Sequence, residues 1–237
     1  MPIRSVNPAD FPAGIPLFRE SSVMFFGLFC PLCKALSRTG TPLCKGCLDM
    51  FDREAGRMPV SRSTASGCTV QGVFRYEGIS RDIFHMAKFS GHRSLADFLI
   101  SSGLKRIPAM DKVSLWVPVP PDHFRLLQRG LSIPDRMAWR LSRLTDIPCH
   151  LDGEPPLPGS EQKSMPRHLR AQRYAGRWGN TLRNRAGKKV SGVVIIDDLV
   201  TTGETLSSFE RSLVEQGATV LYAVALFDAP LRLEEEV

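Results

Sequence analysis

The chain has 237 residues, of which 43% are hydrophobic and 23% charged, with a formal net charge of +7. That length allows one sizeable core plus a small appended module, and the composition is ordinary for a soluble globular protein. No apolar run approaches the roughly 20 residues that span a bilayer, and the short stretch 23–29 has no basic cluster before it, so neither a membrane span nor a secretory signal is expected and the cytoplasm is the expected compartment.

Residues 1–24 read as an N-terminal tail. The segment 25–51 carries four of the six cysteines, as Cys30-x2-Cys33 and Cys44-x2-Cys47 with ten residues between the pairs. In a cytosolic chain this spacing reads as a metal site before it reads as disulfides. Each close pair can form a tight turn, and together they offer four thiolates as a tetrahedron around Zn²⁺. A redox dithiol is the competing reading, but it accounts for one pair and not for two. The intervening residues include Gly40 and Pro42 and suit a short hairpin. The segment is too small to bury a core of its own, so a metal staple is useful there, and the role expected of such a closed site is structural. Cys68 and Cys149 stand alone and read as ordinary thiols.

Residues 52–69 are polar, rich in Arg and Ser up to position 66, and read as a linker. A domain over 70–229 follows. Residues 70–76 are β-rich and predict a strand. Residues 79–89 place Ile79, Ile83, Met86 and Ala87 on one helical face until Gly91 breaks the pattern. A second helix is predicted from Ser94, with Leu95, Phe98, Leu99 and Ser102 in register. Residues 113–119 read as a buried strand that Pro118-Val119-Pro120-Pro121 must end. A helix over 132–144 has Ser132 as its N-cap, Pro134 in its first turn and Met137, Leu141 and Leu144 inward.

Residues 153–189 hold nine Lys or Arg against two Asp or Glu, so the whole charge excess of the chain lies in this one segment. It has four prolines and little apolar periodicity, and reads as a mobile basic loop suited to a polyphosphate or a nucleic-acid backbone. Residues 230–237 read as a C-terminal tail.

The most informative string is Val193-Val194-Ile195-Ile196-Asp197-Asp198-Leu199-Val200-Thr201-Thr202-Gly203-Glu204-Thr205. Four consecutive β-branched residues predict a strand buried on both faces, as in a parallel sheet. A helix from about 205 to 216 buries Leu206, Phe209 and Leu213 and stops at Gly217. A second strand over 219–227 completes a βαβ unit. Thr201, Thr202, Gly203, Glu204 and Thr205 then fall at the carboxyl edge of the sheet, where backbone N–H groups at a helix N-terminus suit a phosphate. Asp197 and Asp198 would repel a phosphate, so they are assigned to ribose hydroxyls or to water on a bound Mg²⁺. Strand alternation sends the two carboxylates to opposite faces, so one of them is expected to touch the ribose directly.

Asp197-Asp198-x-x-Thr201-Thr202-Gly203-x-Thr205 resembles the signature with which type I phosphoribosyltransferases hold phosphoribosyl pyrophosphate. The wider chain, from Phe25 to Ala229, resembles the ComF family of competence-associated proteins, which join a zinc ribbon to a phosphoribosyltransferase domain. Besides the four cysteines, the matching residues are Phe74-x-Tyr76-Glu77-Gly78, Lys88-Phe89-x-Gly91 with Leu95-Ala96, Val117-Pro118-Val119-Pro120, Arg129-Gly130, and Gln162 with Arg170. The chain departs from the family at Leu131-Ser132-Ile133, where Phe-Asn-Gln is common, and at Arg173, where an Asn is usual.

The resemblance implies an α/β fold: a parallel-sheet, type I phosphoribosyltransferase-like domain with a small N-terminal zinc ribbon. It implies Asp197 and Asp198 as catalytic residues, and Arg125, Arg129, Lys163, Arg167 and Arg170 as candidates for the pyrophosphate side. It also implies structural Zn²⁺, Mg²⁺ accompanying the phosphoribosyl ligand, and a role in natural transformation with single-stranded DNA and DNA-processing proteins as partners. Two alternatives stand beside it: a metabolic or salvage phosphoribosyltransferase, and a non-catalytic adaptor whose zinc ribbon recruits a protein.

Overall fold

The computed structural model describes residues 29–37, 40–55, 60–107, 111–121, 131–150 and 190–229. In chain order the elements are α1 (Lys45–Ala55), β1 (Val60–Ser63), β2 (Thr69–Arg75), α2 (Gly78–Phe89), α3 (Arg93–Leu104), β3 (Leu115–Pro118), α4 (Ile133–Thr145), β4 (Ser191–Val200), α5 (Glu204–Glu215) and β5 (Thr219–Asp228). The expected tails, the basic segment and the residues around Arg129 lie outside the described residues.

The strands form one sheet in the order β1-β2-β5-β4-β3. β2, β5, β4 and β3 run parallel, and β1 is an antiparallel edge. The fold is therefore α/β with a mostly parallel five-stranded sheet. Helices cover both faces, as parallel sheets require. On one face α1, α2, α3 and α4 pack over Phe74, Trp116, Val194, Ile196, Val224 and Leu226. On the other, α5 lays Leu206, Phe209 and Leu213 over Val117, Val193, Ile195, Ala223 and Ala225. The β-branched run 193–196 thus feeds both cores by alternation, which is why it reads as continuously apolar.

The direction in which the strands are laid down reverses between β3 and β4. After β3 the chain passes through α4 and returns beside β3 on its outer side: Trp116 donates its N–H to the Pro148 carbonyl (3.0 Å), and His150 donates to the Trp116 carbonyl (2.8 Å). After β4 it passes through α5, on the opposite face, and lays β5 on the inner side of β4. Such a reversal opens a crevice at the carboxyl ends of the two diverging strands.

The helices follow local rules. Ser132 caps α4, its hydroxyl accepting the Asp135 N–H at 3.3 Å, with Pro134 in the first turn. α2 buries Ile79, Ile83, Phe84 and Ala87, while Met86 is only partly buried. α3 starts one residue before Ser94 and is buried around most of its circumference, because it is covered by α2 and α4 as well as by the sheet.

One expectation needs correction: within 52–69, read as a linker, Asp52–Ala55 complete α1 and Val60–Ser63 form the edge strand paired with β2 through Val60↔Gly72 and Ser63↔Thr69. A polar strand carries half its residues to solvent, so its composition mimics a loop. The cysteine segment, too small for a core of its own, packs its described residues into the core of the sheet. Phe51 packs on Phe74 and Phe98 with ring centroids at 5.4 and 5.0 Å, and Cys30, Leu43, Cys44, Cys47 and Ala55 belong to the same cluster as the sheet. Full burial of a ring such as that of Phe51 contributes roughly 2–3 kcal/mol. Among the described residues no helix is long and apolar enough to cross a membrane.

Candidate functional site

β4 does not stop at its two carboxylates. It continues to Val200, pairing Asp197 with Ala225 and Val200 with Asp228, so both Asp side chains are held in a central strand. Beside them, β3 ends at Pro118, opposite Ile196, and the Val119 N–H donates to the Ile196 carbonyl at 2.8 Å. The carboxylates therefore follow the end of β3 on the neighbouring strand, at the point where the sheet reverses.

They have different surroundings. Alternation puts Asp198 on the face of Val194 and Ile196, where the Lys88 ammonium from the last turn of α2 lies 2.6 Å from its Oδ2. Lys88 also sits over the Phe84 ring, 5.0 Å from its centroid. Asp197 faces the α5 side, is buried, and accepts the N–H of Asp198 at 2.8 Å. Burial and then the neighbouring Asp198 charge push the Asp197 carboxyl up to about 7, outweighing the opposing pull of that N–H and of Lys88. One carboxylate is thus ion-paired with Lys88, and the other has its affinity for a proton raised by burial and by its neighbour.

Beyond Val200 the chain turns through 201–203 into α5. Gly203 caps the helix in the left-handed region (φ 81°), which L side chains adopt only with strain. It is also closely approached: a Cβ there would lie 3.3 Å from the Thr64 methyl carbon. Thr201, Thr202, Glu204 and Thr205 are exposed around it. The Thr202 hydroxyl accepts the Glu204 N–H at 3.4 Å, a long bond, and the first helical bond runs from the Ser207 N–H to the Gly203 carbonyl at 2.8 Å. The opening turn of α5 thereby presents N–H groups and the positive end of its dipole at the sheet edge.

Two basic residues at this edge were not among the sequence candidates. Lys88 had a visible signal, its place in the Lys88-Phe89-x-Gly91 string, but nothing local pairs it with Asp198. Arg62 lay in the stretch read as a linker; its guanidinium donates to the Thr201 carbonyl and its Nε lies 2.8 Å from Asp228 Oδ1. Asp197, Asp198, Thr201, Thr202, Gly203, Glu204 and Thr205 all lie along the end of β4, the turn after it and the start of α5. Arg125, Arg129, Lys163, Arg167 and Arg170 lie outside the described residues.

The second cluster is that of Cys30, Cys33, Cys44 and Cys47, whose sulfurs all lie within 4.8 Å of one another. Cys33 and Cys44 Sγ are 3.4 Å apart. Four sulfurs about 2.3 Å from a central Zn²⁺ would be separated by roughly 3.8 Å, so the cluster has the size of such a site. The first pair sits in a turn closed by the Lys34 N–H to the Cys30 carbonyl (2.8 Å), with Lys34 left-handed at φ 63°. The second straddles the start of α1: Cys44 precedes it and Cys47 lies in its first turn. Burial disfavours ionisation of Cys30, but N–H groups of Cys33, Cys44 and Leu32 outweigh it and bring the thiol to about 7; burial raises Cys47. Four thiols this close resist common ionisation until a divalent cation compensates them. Cys68 is buried and Cys149 half-buried, and neither joins the cluster.

The fold and the site thus define an α/β protein with paired carboxylates and a helix N-terminus at a sheet reversal, plus a four-cysteine cluster. Neither a scan of protein-family models nor a search of curated proteins finds a match to this chain.

Proposed function

We propose that the carboxyl edge of β4 binds a phosphoribosyl group, as phosphoribosyl pyrophosphate with Mg²⁺, and that the chain is a ComF-like phosphoribosyltransferase-domain protein with a structural Zn²⁺ on its four cysteines. The observation that carries this reading is the continuous path from Asp197 and Asp198 through left-handed Gly203 into the first turn of α5, at the point where the sheet reverses. A phosphate suits the exposed N–H groups of that turn and the hydroxyls of Thr201, Thr202 and Thr205. Ribose hydroxyls suit a carboxylate acceptor a few residues upstream.

In the corresponding reaction a nucleophile bonds to C1 of the ribose, the C1–oxygen bond breaks, and pyrophosphate leaves with that bond's electron pair. Carboxylates fixed in β4 favour the positive charge that develops on the ring. Asp197, with its raised affinity for a proton, serves as a hydrogen-bond donor or acceptor according to pH. Lys88 holds Asp198 in place and limits the negative charge presented to the ligand. Mg²⁺ arriving with the ligand would offset the charge of the pyrophosphate. The family resemblance and the basic segment 153–189 support a role with imported single-stranded DNA in the cytoplasm.

Calorimetry with phosphoribosyl pyrophosphate and Mg²⁺ tests the reading. Hydrogen bonds to a charged partner contribute about 1.5–3 kcal/mol, so Asp197→Asn/Asp198→Asn is expected to weaken binding by roughly 10- to 100-fold or more. A folded, zinc-loaded wild type that shows no heat of binding would remove the phosphoribosyl reading and turn attention to DNA or a protein partner.

A further inference from the structure

The edge hairpin formed by β1, β2 and the turn 64–68 touches the loop before α5 at two points and the middle of that helix at a third. Arg62 donates to the carbonyl of Thr201, the Thr64 methyl lies under Gly203, and the Ser66 hydroxyl donates to the Glu210 carboxylate on α5. Thr64 and Ser66 are themselves joined through their hydroxyls at 2.9 Å. Arg62 is held from behind: its Nε lies 2.8 Å from Oδ1 of Asp228, as an ion pair. Asp228 is itself anchored as the last residue of β5, where its carbonyl accepts the Tyr76 N–H at 2.8 Å.

A loop that offers N–H groups to an anion must keep its carbonyl oxygens turned away from that anion, since each carbonyl carries a partial negative charge. Thr201 is the first residue after β4, and among the described residues the pairing of β4 with β5 ends one position before it, at Val200 and Asp228. From the Asp228–Arg62–Thr201 chain we infer that Arg62 is a positioning residue for the phosphate loop: it fixes the Thr201 carbonyl away from the ligand and so leaves the following N–H groups facing it. This rests on the phosphoribosyl reading for the identity of the ligand, but the restraint on the loop exists without it. Lysine does not substitute, because one ammonium lacks the planar fork that reaches a carboxylate and a carbonyl at once.

The test is carried out on the full chain with Arg62→Met, and with Asp228→Asn should Arg62→Met fail to fold. Amide hydrogen exchange of the ligand-free protein is expected to accelerate at least tenfold at the two bonded amides that flank the loop, Ser207 (to the Gly203 carbonyl) and Ala229 (to the Val200 carbonyl), and to stay unchanged in α2 and α3. Binding of ribose 5-phosphate, which needs the loop, is expected to fall at least tenfold, while thermal unfolding remains cooperative. Arg62→Lys is expected to behave like Arg62→Met. Unchanged exchange at Ser207 and Ala229 overturns the inference whatever the ligand does. Faster exchange with undiminished ribose 5-phosphate binding also overturns it, since the restraint would not serve the ligand. Faster exchange in a protein whose wild type ignores ribose 5-phosphate removes the phosphoribosyl reading and leaves Arg62 as the restraint on the loop.

Discussion

Asp197 and Asp198 are neighbours in sequence with identical chemistry, and the pleat of β4 gives them opposite fates. Asp198 meets Lys88 in an ion pair; Asp197 is turned toward α5 and buried, with the N–H groups of Asp198 and Leu199 beside it. The Asp197 carboxyl titrates near 7, against about 3.9 in an unfolded chain. From about pH 4 to about pH 7, therefore, the folded protein keeps a proton that the unfolded chain has released. Stability from this group is fully present below pH 4 and declines as pH rises through that window, by at most about 4 kcal/mol. Asp197→Asn removes the titration. In the ligand-free protein it is expected to raise the melting temperature by several degrees at pH 8 and to leave it nearly unchanged at pH 4.5. A variant less stable than wild type at pH 8 would show that the carboxylate is favoured there, not tolerated.

Among the elements, those with a single dominant periodicity were legible in the sequence. α4 is the clearest: Ser132 as the cap, Pro134 in the first turn and an inward Met137 and Leu141 are all found. Ser132→Ala should cost about 1 kcal/mol in urea unfolding, by stranding the Asp135 N–H. A loss below a few tenths would mean that water replaces the hydroxyl there without penalty. β4, α5 and β5 were legible for the same reason, and with them the loop residues 201–205. β1 was not, because Val60-Ser61-Arg62-Ser63 lies at an edge, and its role comes from partners some 140 positions away in the chain. The Lys88–Asp198 pair was invisible on the same ground: the spacing of either residue gives no sign of the other, and only the packing of α2 on the sheet brings them together.

At the scale of the whole molecule, the cysteine cluster and the sheet share one interior. Phe51 follows Cys47 by four residues, one helical turn, and its ring lies between Phe74 of β2 and Phe98 of α3. With Zn²⁺ on the four cysteines as proposed, its loss is felt throughout. Structural sites bind Zn²⁺ with apparent free energies of about 10–16 kcal/mol, comparable to the roughly 5–15 kcal/mol that holds a whole domain folded. Chelation is expected to lower the melting temperature of the entire protein in one transition, with helix and aromatic circular dichroism lost together. Two separated transitions would show instead that the cysteine segment unfolds on its own.

β5 has a position with a further implication. It is the last of the five strands to leave the ribosome, yet it lies in the middle of the sheet, wedged between β2 and β4, with Phe74 beside Phe227 and Asp197 beside Ala225. Until it emerges, β2 and β4 have a vacant slot between them, and the Phe74 and Phe84 rings lack the Phe227 ring that later packs against both. Such distant pairing makes for slow acquisition of structure and a long exposure of unpaired strand edges. The nascent chain must therefore be carried, cysteines and carboxylates already made, as an open half-sheet awaiting its keystone, and the surroundings of Asp197 and Asp198 are complete only once β5 has joined β4.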